Sequence, residues 1–174
     1  MYFTLNDDGT YELRHPGFAD VSSEDFEFVA QYLESGDFGL KHPEGEEVRE
    51  AFAQMIAAWS IAETVNMTDL LDHVVDKMER LAPWDMCDVL AFAIQVYKSA
   101  DLSLPAQQRM KDLLSAEIAR HYWSYLEDEQ LNGIFIQRLK QLPELERDVY
   151  TKRIATLNQN LQPVDDDMDD NEMN

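Results

Sequence analysis

Cysteine and basic residues are scarce in this sequence of 174 residues, and each scarcity excludes a class of site. Because Cys87 is the only cysteine, the chain can form no internal disulfide and no cysteine-rich metal site. With 14 basic against 35 acidic residues, the formal net charge is −21, and a field of this sign repels phosphate groups. We therefore expect no direct binding to nucleic acid or to membranes, and we expect protein partners, including partners with basic faces.

Long hydrophobic runs and targeting features are missing as well. The longest apolar stretches, such as "VLAFAI", fall well short of the roughly 20 residues that span a bilayer. The opening residues, "MYFTLNDDGTYELR", contain neither the basic start nor the apolar stretch of a signal peptide. Since a single cysteine also suits a reducing compartment, we expect the protein in the cytoplasm, the nucleus or both.

What the chain does contain is enough apolar residue, 45% of the total, to build a globular core. Two β-forming runs around "NDDG" predict a hairpin over 1–14, and period-3.6 patterns predict helices after it. The predicted helices cover 22–35, 47–65, 68–81, 84–99, 105–126, 128–141 and 143–161. The fold class is thus mainly α, a short N-terminal hairpin followed by a helical bundle, and the acidic segment 162–174 is predicted to be disordered.

The stretch "FEFVAQYLESGDFG" carries the clearest local pattern. Phe26, Val29 and Leu33 are predicted to face the core of one helix. Gly36 is predicted to end that helix, because a glycine tolerates the left-handed backbone of a helix C-terminus. Phe38 then follows and is predicted to fold back over the helix end.

This capped helix, a polar loop and the helix pair around "AWSIAETVNMTDLLDHVVDKM" together resemble the second half of a BTB/POZ domain. The positions that carry the resemblance are Phe26, Tyr32, Leu33, Gly36, Phe38, Ala62, Met67 and Leu70. The later stretches "PWDMCDVLAFAIQVY" and "LPELERDVY" are similar to the C-terminal extensions of BTB-type proteins of filamentous fungi. The resemblance implies a truncated BTB/POZ-like region over 1–82, a helical extension over 83–161, and the acidic tail.

The resemblance also implies a non-enzymatic protein–protein interaction module. Such a module would act as an adaptor or scaffold, linked to the assembly of a ubiquitin ligase or a transcription regulator, without a cofactor. Self-association is compatible with it. The elements that precede this half in a complete BTB domain have no counterpart in the pattern, so the usual homodimer and cullin contact are not carried over.

Two other functions are open from the residues. Asp69, Asp72, His73 and Asp76 share a helical neighbourhood and would suit a divalent metal in a helical enzyme, although a solvated polar face explains them as well. The acidic tail would suit a chaperone for basic proteins. Glu117 and His121 are spaced as a general acid–base pair, although such a pair more often supports a helix surface.

The aromatic cluster in "HYWSYLEDEQL" is the main candidate for a partner contact. Three aromatics in four positions cannot all face one core on a 3.6-residue period, so they are either partner anchors or sandwiched between two helical layers. Leu145, Val149 and Ile154 in the basic stretch "LPELERDVYTKRIATL" form a predicted apolar face that docks on the preceding helices or fills a partner's groove. The predicted partner-binding residues are Tyr122, Trp123, Tyr125, Leu145, Val149 and Tyr150. Trp59 and Cys87 are predicted to lie in the core.

Overall fold

Helical periodicity dominates the chain, and the computed structural model is accordingly mainly helical. It describes residues 3–5, 7, 11–13, 21–41, 43–81, 83–99 and 104–160, with the backbone alone for 3–5, 11–13, 25, 159 and 160. The helices in these residues are α1 (Ser23–Ser35), α2 (Glu47–Val65), α3 (Thr68–Arg80), α4 (Met86–Lys98), α5 (Pro105–Arg120), α6 (Tyr122–Glu127), α7 (Asn132–Gln141) and α8 (Pro143–Asn160). The predicted tail, 162–174, lies outside the described residues.

Two short strands, β1 (Phe3–Leu5) and β2 (Tyr11–Leu13), pair antiparallel with Thr4 opposite Glu12. Of the predicted turn between them, only Asp7 is described. The hairpin over 1–14 as a whole therefore stays a prediction.

The first helix ends at the glycine that the sequence indicates. Gly36 has a left-handed φ of 75°, and its N–H donates to the carbonyl of Tyr32 at 2.8 Å. Phe38 then lies buried in the core, as predicted. The prediction for Leu33 is wrong, because its side chain is 63% exposed. The covered face of α1 is centred on Phe28, Val29 and Tyr32, about a quarter of a turn away from Leu33.

The α2–α3 connection is made by the backbone and not by a side-chain cap. Asn66 ends α2 in the left-handed conformation, with φ 59°, and Met67 donates its N–H to the carbonyl of Ala62 at 2.8 Å. Met67 then precedes α3 without a side-chain cap bond. Neither Asn66 nor Thr68 therefore caps α3, and the asparagine serves here as the residue that tolerates positive φ.

The starts of α4, α5 and α8 follow local chemistry. Asp85 caps α4 by accepting from the N–H groups of Cys87 at 2.8 Å and Asp88 at 3.3 Å. Pro105 and Pro143 open α5 and α8, as predicted. Cys87 is exposed in the first turn of α4, so the predicted core position for it is wrong.

The predicted helix over 105–126 is divided. His121 leaves helical geometry, with φ −98° and ψ 17°, and α6 starts after it. Tyr122 and Tyr125, at positions i and i+3 of the chain, both face the core. The helix predicted from 128 starts only at Asn132, because the Asp128 carboxylate accepts from the N–H groups of Gln130 and Leu131 at 2.8 and 2.9 Å and holds a turn.

A single core runs from Val29 in α1 to Val149 in α8. Trp59 lies at its centre, fully buried and edge-on to Phe92 at 6.1 Å between ring centroids, as predicted for this tryptophan. The core is continuous across residue 83, where the sequence suggests the end of the BTB-like region. Among the residues that carry the resemblance, Phe38, Ala62 and Leu70 are buried, Phe26, Tyr32 and Met67 are half-buried, and Leu33 and Gly36 are exposed.

Candidate functional site

The acidic face of α3 does not gather a metal site. Asp72 and Asp76 turn toward Arg109 of α5, with N–O distances of 3.5 and 2.6 Å. His73 turns away from them, and its Nε2 lies 3.0 Å from Oδ1 of Asp37. Over the described residues, no three His, Cys, Asp or Glu side chains converge to hold an ion. Three of the four predicted ligands, Asp72, His73 and Asp76, therefore tie α3 to its neighbours instead of sharing one centre with Asp69.

Asp37 is the acceptor that joins the α1–α2 loop to α3. Its Oδ1 accepts from Lys77 at 2.9 Å as well as from His73, and Lys77 also donates to the carbonyl of Phe38. Partial burial opposes ionisation, but the hydrogen bonds from Lys77, His73 and the N–H of Phe38 outweigh it and lower the pKa of Asp37 from 3.8 to about 2. Asp37, His73 and Lys77 therefore have a structural role, because their contacts join the α1–α2 loop to α3.

Glu117 and His121 do meet, as their spacing predicts. The Glu117 carboxylate is buried, with Arg120 Nη1 at 2.6 Å and His121 Nε2 at 3.2 Å. Both carboxylate oxygens are therefore held by neighbouring cationic or ring nitrogens at the C-terminal end of α5. The arrangement fixes the Arg120 side chain at the rim of the surface described next.

The predicted aromatic anchors divide between the core and the surface. Tyr125 stacks on Phe135 at 4.7 Å and donates to the carbonyl of Met86 at 2.7 Å. Tyr122 lies edge-on to Phe135, and Trp123 is 64% exposed. Burial raises the pKa of Tyr125, and nearby carboxylates add to it, so this phenol keeps its proton.

Four of the six predicted partner-binding residues are therefore wrong as surface contacts. Tyr122, Tyr125, Leu145 and Val149 are buried, because α6 and α8 fold against α5 and α7 and use these side chains as their own core. A buried side chain cannot reach a partner on this fold. Trp123 and Tyr150 remain available, and Tyr150 keeps a hydroxyl contact to Tyr122 at 3.3 Å.

Two aliphatic side chains of α8 join them. Ile154 and Leu157 are 58% and 55% exposed, and with Tyr150 they recur at the i, i+4, i+7 spacing of one helical face. The predicted grouping of Ile154 with Leu145 and Val149 is wrong, because Ile154 lies about half a turn from them around α8. We call Trp123, Tyr150, Ile154 and Leu157 the apolar strip.

A cleft of about 490 Å³ opens beside the strip. Ala116 and Ala119 of α5 form one wall, Arg153 and Leu157 of α8 form another, and Trp123 closes one side. The Arg153 guanidinium carbon lies 3.8 Å from the ring centroid of Tyr122 and 5.0 Å from that of Trp123. This cation–π contact holds the exposed indole against α8.

Position 157 is the part of the strip that sequence reasoning missed. The signal was the exposed-face spacing of Tyr150, Ile154 and Leu157, which lies beside the buried face of Leu145 and Val149 on the same helix. Two apolar faces on one helix predict either a second packing layer or a free surface.

Comparison of the chain with protein-family models, with curated proteins and with solved structures finds no match. The resemblance to BTB/POZ domains therefore stays a prediction. Within the described residues, no helix is long and apolar enough to cross a membrane.

Proposed function

We propose that this protein is a non-enzymatic protein–protein interaction module whose partner binds the apolar strip. The observation that carries the proposal is the exposure of four large apolar side chains on α6 and α8. Tyr150, Ile154 and Leu157 share one face of α8, and Trp123 lines the same cleft as Leu157. Contiguous apolar surface on a folded domain is typical of interaction sites, and tryptophan and tyrosine are the side chains that most often anchor them.

Burial of the apolar strip by a partner would contribute favourably to the free energy of binding. Fully burying an aliphatic side chain of this size contributes about 1.5–3 kcal/mol, and Ile154 and Leu157 still expose more than half of theirs. Trp123 is already oriented by Arg153, so little side-chain freedom is lost when a partner covers the indole.

The resemblance to BTB-type proteins supports an adaptor or scaffold role in the assembly of a ubiquitin ligase or a transcription regulator. We propose this role, in the cytoplasm or the nucleus, as the context of the interaction. The metal-dependent enzyme is not favoured, because Asp72, Asp76 and His73 are engaged with Arg109 and Asp37.

Quantitative affinity purification of wild type, Ile154→Glu and Leu33→Glu tests the proposal. Ile154→Glu places a charge in the strip, whereas Leu33→Glu changes an equally exposed leucine on α1. Both side chains lie outside the core, and equal melting temperatures would verify that both variants fold.

We expect a partner that copurifies with wild type to be retained by Leu33→Glu and lost from Ile154→Glu. A direct titration of that partner should show about a tenfold loss of affinity or more, which corresponds to about 1.4 kcal/mol. If both variants recover the same amount of the partner, the strip is not its binding site. If wild type associates with itself through the strip, the partner is a second copy of the chain.

A further inference from the structure

The cleft beside the apolar strip carries positive charge although the whole chain carries −21. Arg120, Lys152 and Arg153 line it. Arg120 and Lys152 each hold one carboxylate on the protein side, Glu117 at 2.6 Å and Asp112 at 2.9 Å, and still have N–H donors that face solvent.

Arg153 differs from these two cations. In the described part of the chain it pairs with no carboxylate, and its guanidinium lies over the rings of Tyr122 and Trp123. A guanidinium on an aromatic platform presents its N–H edge to an incoming carboxylate while the rings cover its face. The cleft therefore suits a segment that combines several carboxylates with apolar side chains.

The C-terminal stretch 164–172, "VDDDMDDNE", has this composition. It carries six carboxylates, with Val164 before them and Met168 among them. Its connection to α8 places it within reach. Arg153 lies seven residues before the last residue of α8, about 10 Å along the helix. The eight residues from 161 to 168 can span up to about 26 Å.

A tethered segment also has an advantage over a separate acidic partner. The net charge of the chain repels an acidic molecule that approaches from solution, and this repulsion slows its encounter. A segment joined by a short linker needs no such encounter and has an effective concentration on the order of millimolar.

We propose that residues 164–172 bind this cleft within the same molecule and cover Trp123 and Arg153 until a partner displaces them. The regulatory meaning of this contact rests on the proposed function, since the cleft adjoins the apolar strip. The contact between 164–172 and the cleft is measured without any partner. Its failure therefore leaves the proposal of a partner at the apolar strip intact, and the reverse also holds.

Paramagnetic relaxation enhancement on the full chain tests it. A spin label is attached at Met173→Cys in a Cys87→Ser background, which removes the exposed native thiol. We expect the Trp123 indole signal and the amide signals of Ala119 and Thr156 to lose intensity. The amide signal of Val29, in α1, should not.

The matched control keeps the tether and removes the charge. It replaces the five aspartates of 164–172 by asparagine and Glu172 by glutamine, with the same label. We expect the intensities to recover in this variant, in Arg153→Gln, and in 1 M NaCl, where the screening length is about 3 Å. Lys98→Gln removes the same charge from an exposed site on α4 and should leave the broadening in place.

Equal broadening with charged and neutral segments would overturn the proposal, because proximity of the tether alone would then explain it. Binding of the segment to a second copy of the chain is tested in a mixture. One chain is isotope-labelled and carries no spin label, and the other carries the spin label and no isotope label. Broadening in that mixture would place the segment on a second copy and would overturn the intramolecular contact.

Discussion

Lys77 is a charged residue that the fold buries, and its contacts explain how a polar loop is held on an apolar helix. Its ammonium group lies 2.9 Å from Oδ1 of Asp37 and 4.7 Å from the ring centroid of Phe38, and it also donates to the carbonyl of Phe38. A buried cation is tolerated when it is paired and hydrogen-bonded, and Lys77 has a carboxylate, a carbonyl and an aromatic ring as partners. At the scale of single residues, Lys77 therefore helps to hold the loop after α1, together with His73.

Lys77→Met should lower the free energy of unfolding by about 1–2 kcal/mol, because Asp37 keeps only His73 as a side-chain donor and the Phe38 carbonyl loses its partner. Urea denaturation at neutral pH measures this. Lys98→Met, at an exposed position of α4, is the control and should change the value by no more than about 0.5 kcal/mol. Equal effects of the two substitutions on the free energy of unfolding would show that the contacts of Lys77 do not stabilise the protein.

The acid dependence of the same contact follows from the pKa of Asp37. This pKa falls from 3.8 to about 2 on folding, so the unfolded chain binds the proton more tightly. The contribution of Asp37 to stability is complete above pH 4 and is lost as the pH falls toward 2. The difference in unfolding free energy between wild type and Asp37→Asn, measured by urea titration at several pH values, should shrink across this window. A constant difference would contradict the account.

At the scale of elements, helix ends that depend on local chemistry can be predicted from sequence. The bounds of α1, α2 and α3 agree with prediction to within one residue, because Gly36 and Asn66 each allow the left-handed turn that ends a helix. The break between α5 and α6 could not be predicted in this way. The sequence around His121 contains neither glycine nor proline, the residues that most often mark the end of a helix.

Two glycines provide a matched test of helix-end chemistry. Gly36→Ala should destabilise the protein by about 1–2 kcal/mol, because a Cβ is disfavoured at φ 75° although no atom lies within 4 Å of it. Gly133→Ala, in the first turn of α7 with equally open space, should instead stabilise by up to about 1 kcal/mol. Thermal unfolding of both variants measures the two effects. A Gly36→Ala variant as stable as wild type, or stabilised as much as Gly133→Ala, would contradict the assignment of the left-handed turn to Gly36.

At the scale of the whole molecule, one core joins the BTB-like region to the extension and leaves the apolar strip uncovered. Trp123 could be anticipated from sequence, because the three aromatics of 122–125 cannot all face one core. Tyr150 is also among the predicted partner-binding residues, from the stretch "LPELERDVY". Tyr122, Tyr125, Leu145 and Val149 were misplaced, because periodicity shows that a face is apolar and does not show which helix covers it. The cleft and its cations depend on how α5, α6 and α8 meet, which only tertiary packing decides.

The central claim, that a partner covers the strip, is tested most directly by site-specific photo-crosslinking in cells. A photoreactive amino acid replaces Ile154 in one variant and Leu33 in another. The two side chains are exposed to nearly the same extent, but Ile154 lies on α8 and Leu33 on α1. We expect a discrete covalent adduct from position 154 and none from position 33. Adducts of equal yield at both positions, or an adduct at position 33 alone, would contradict it.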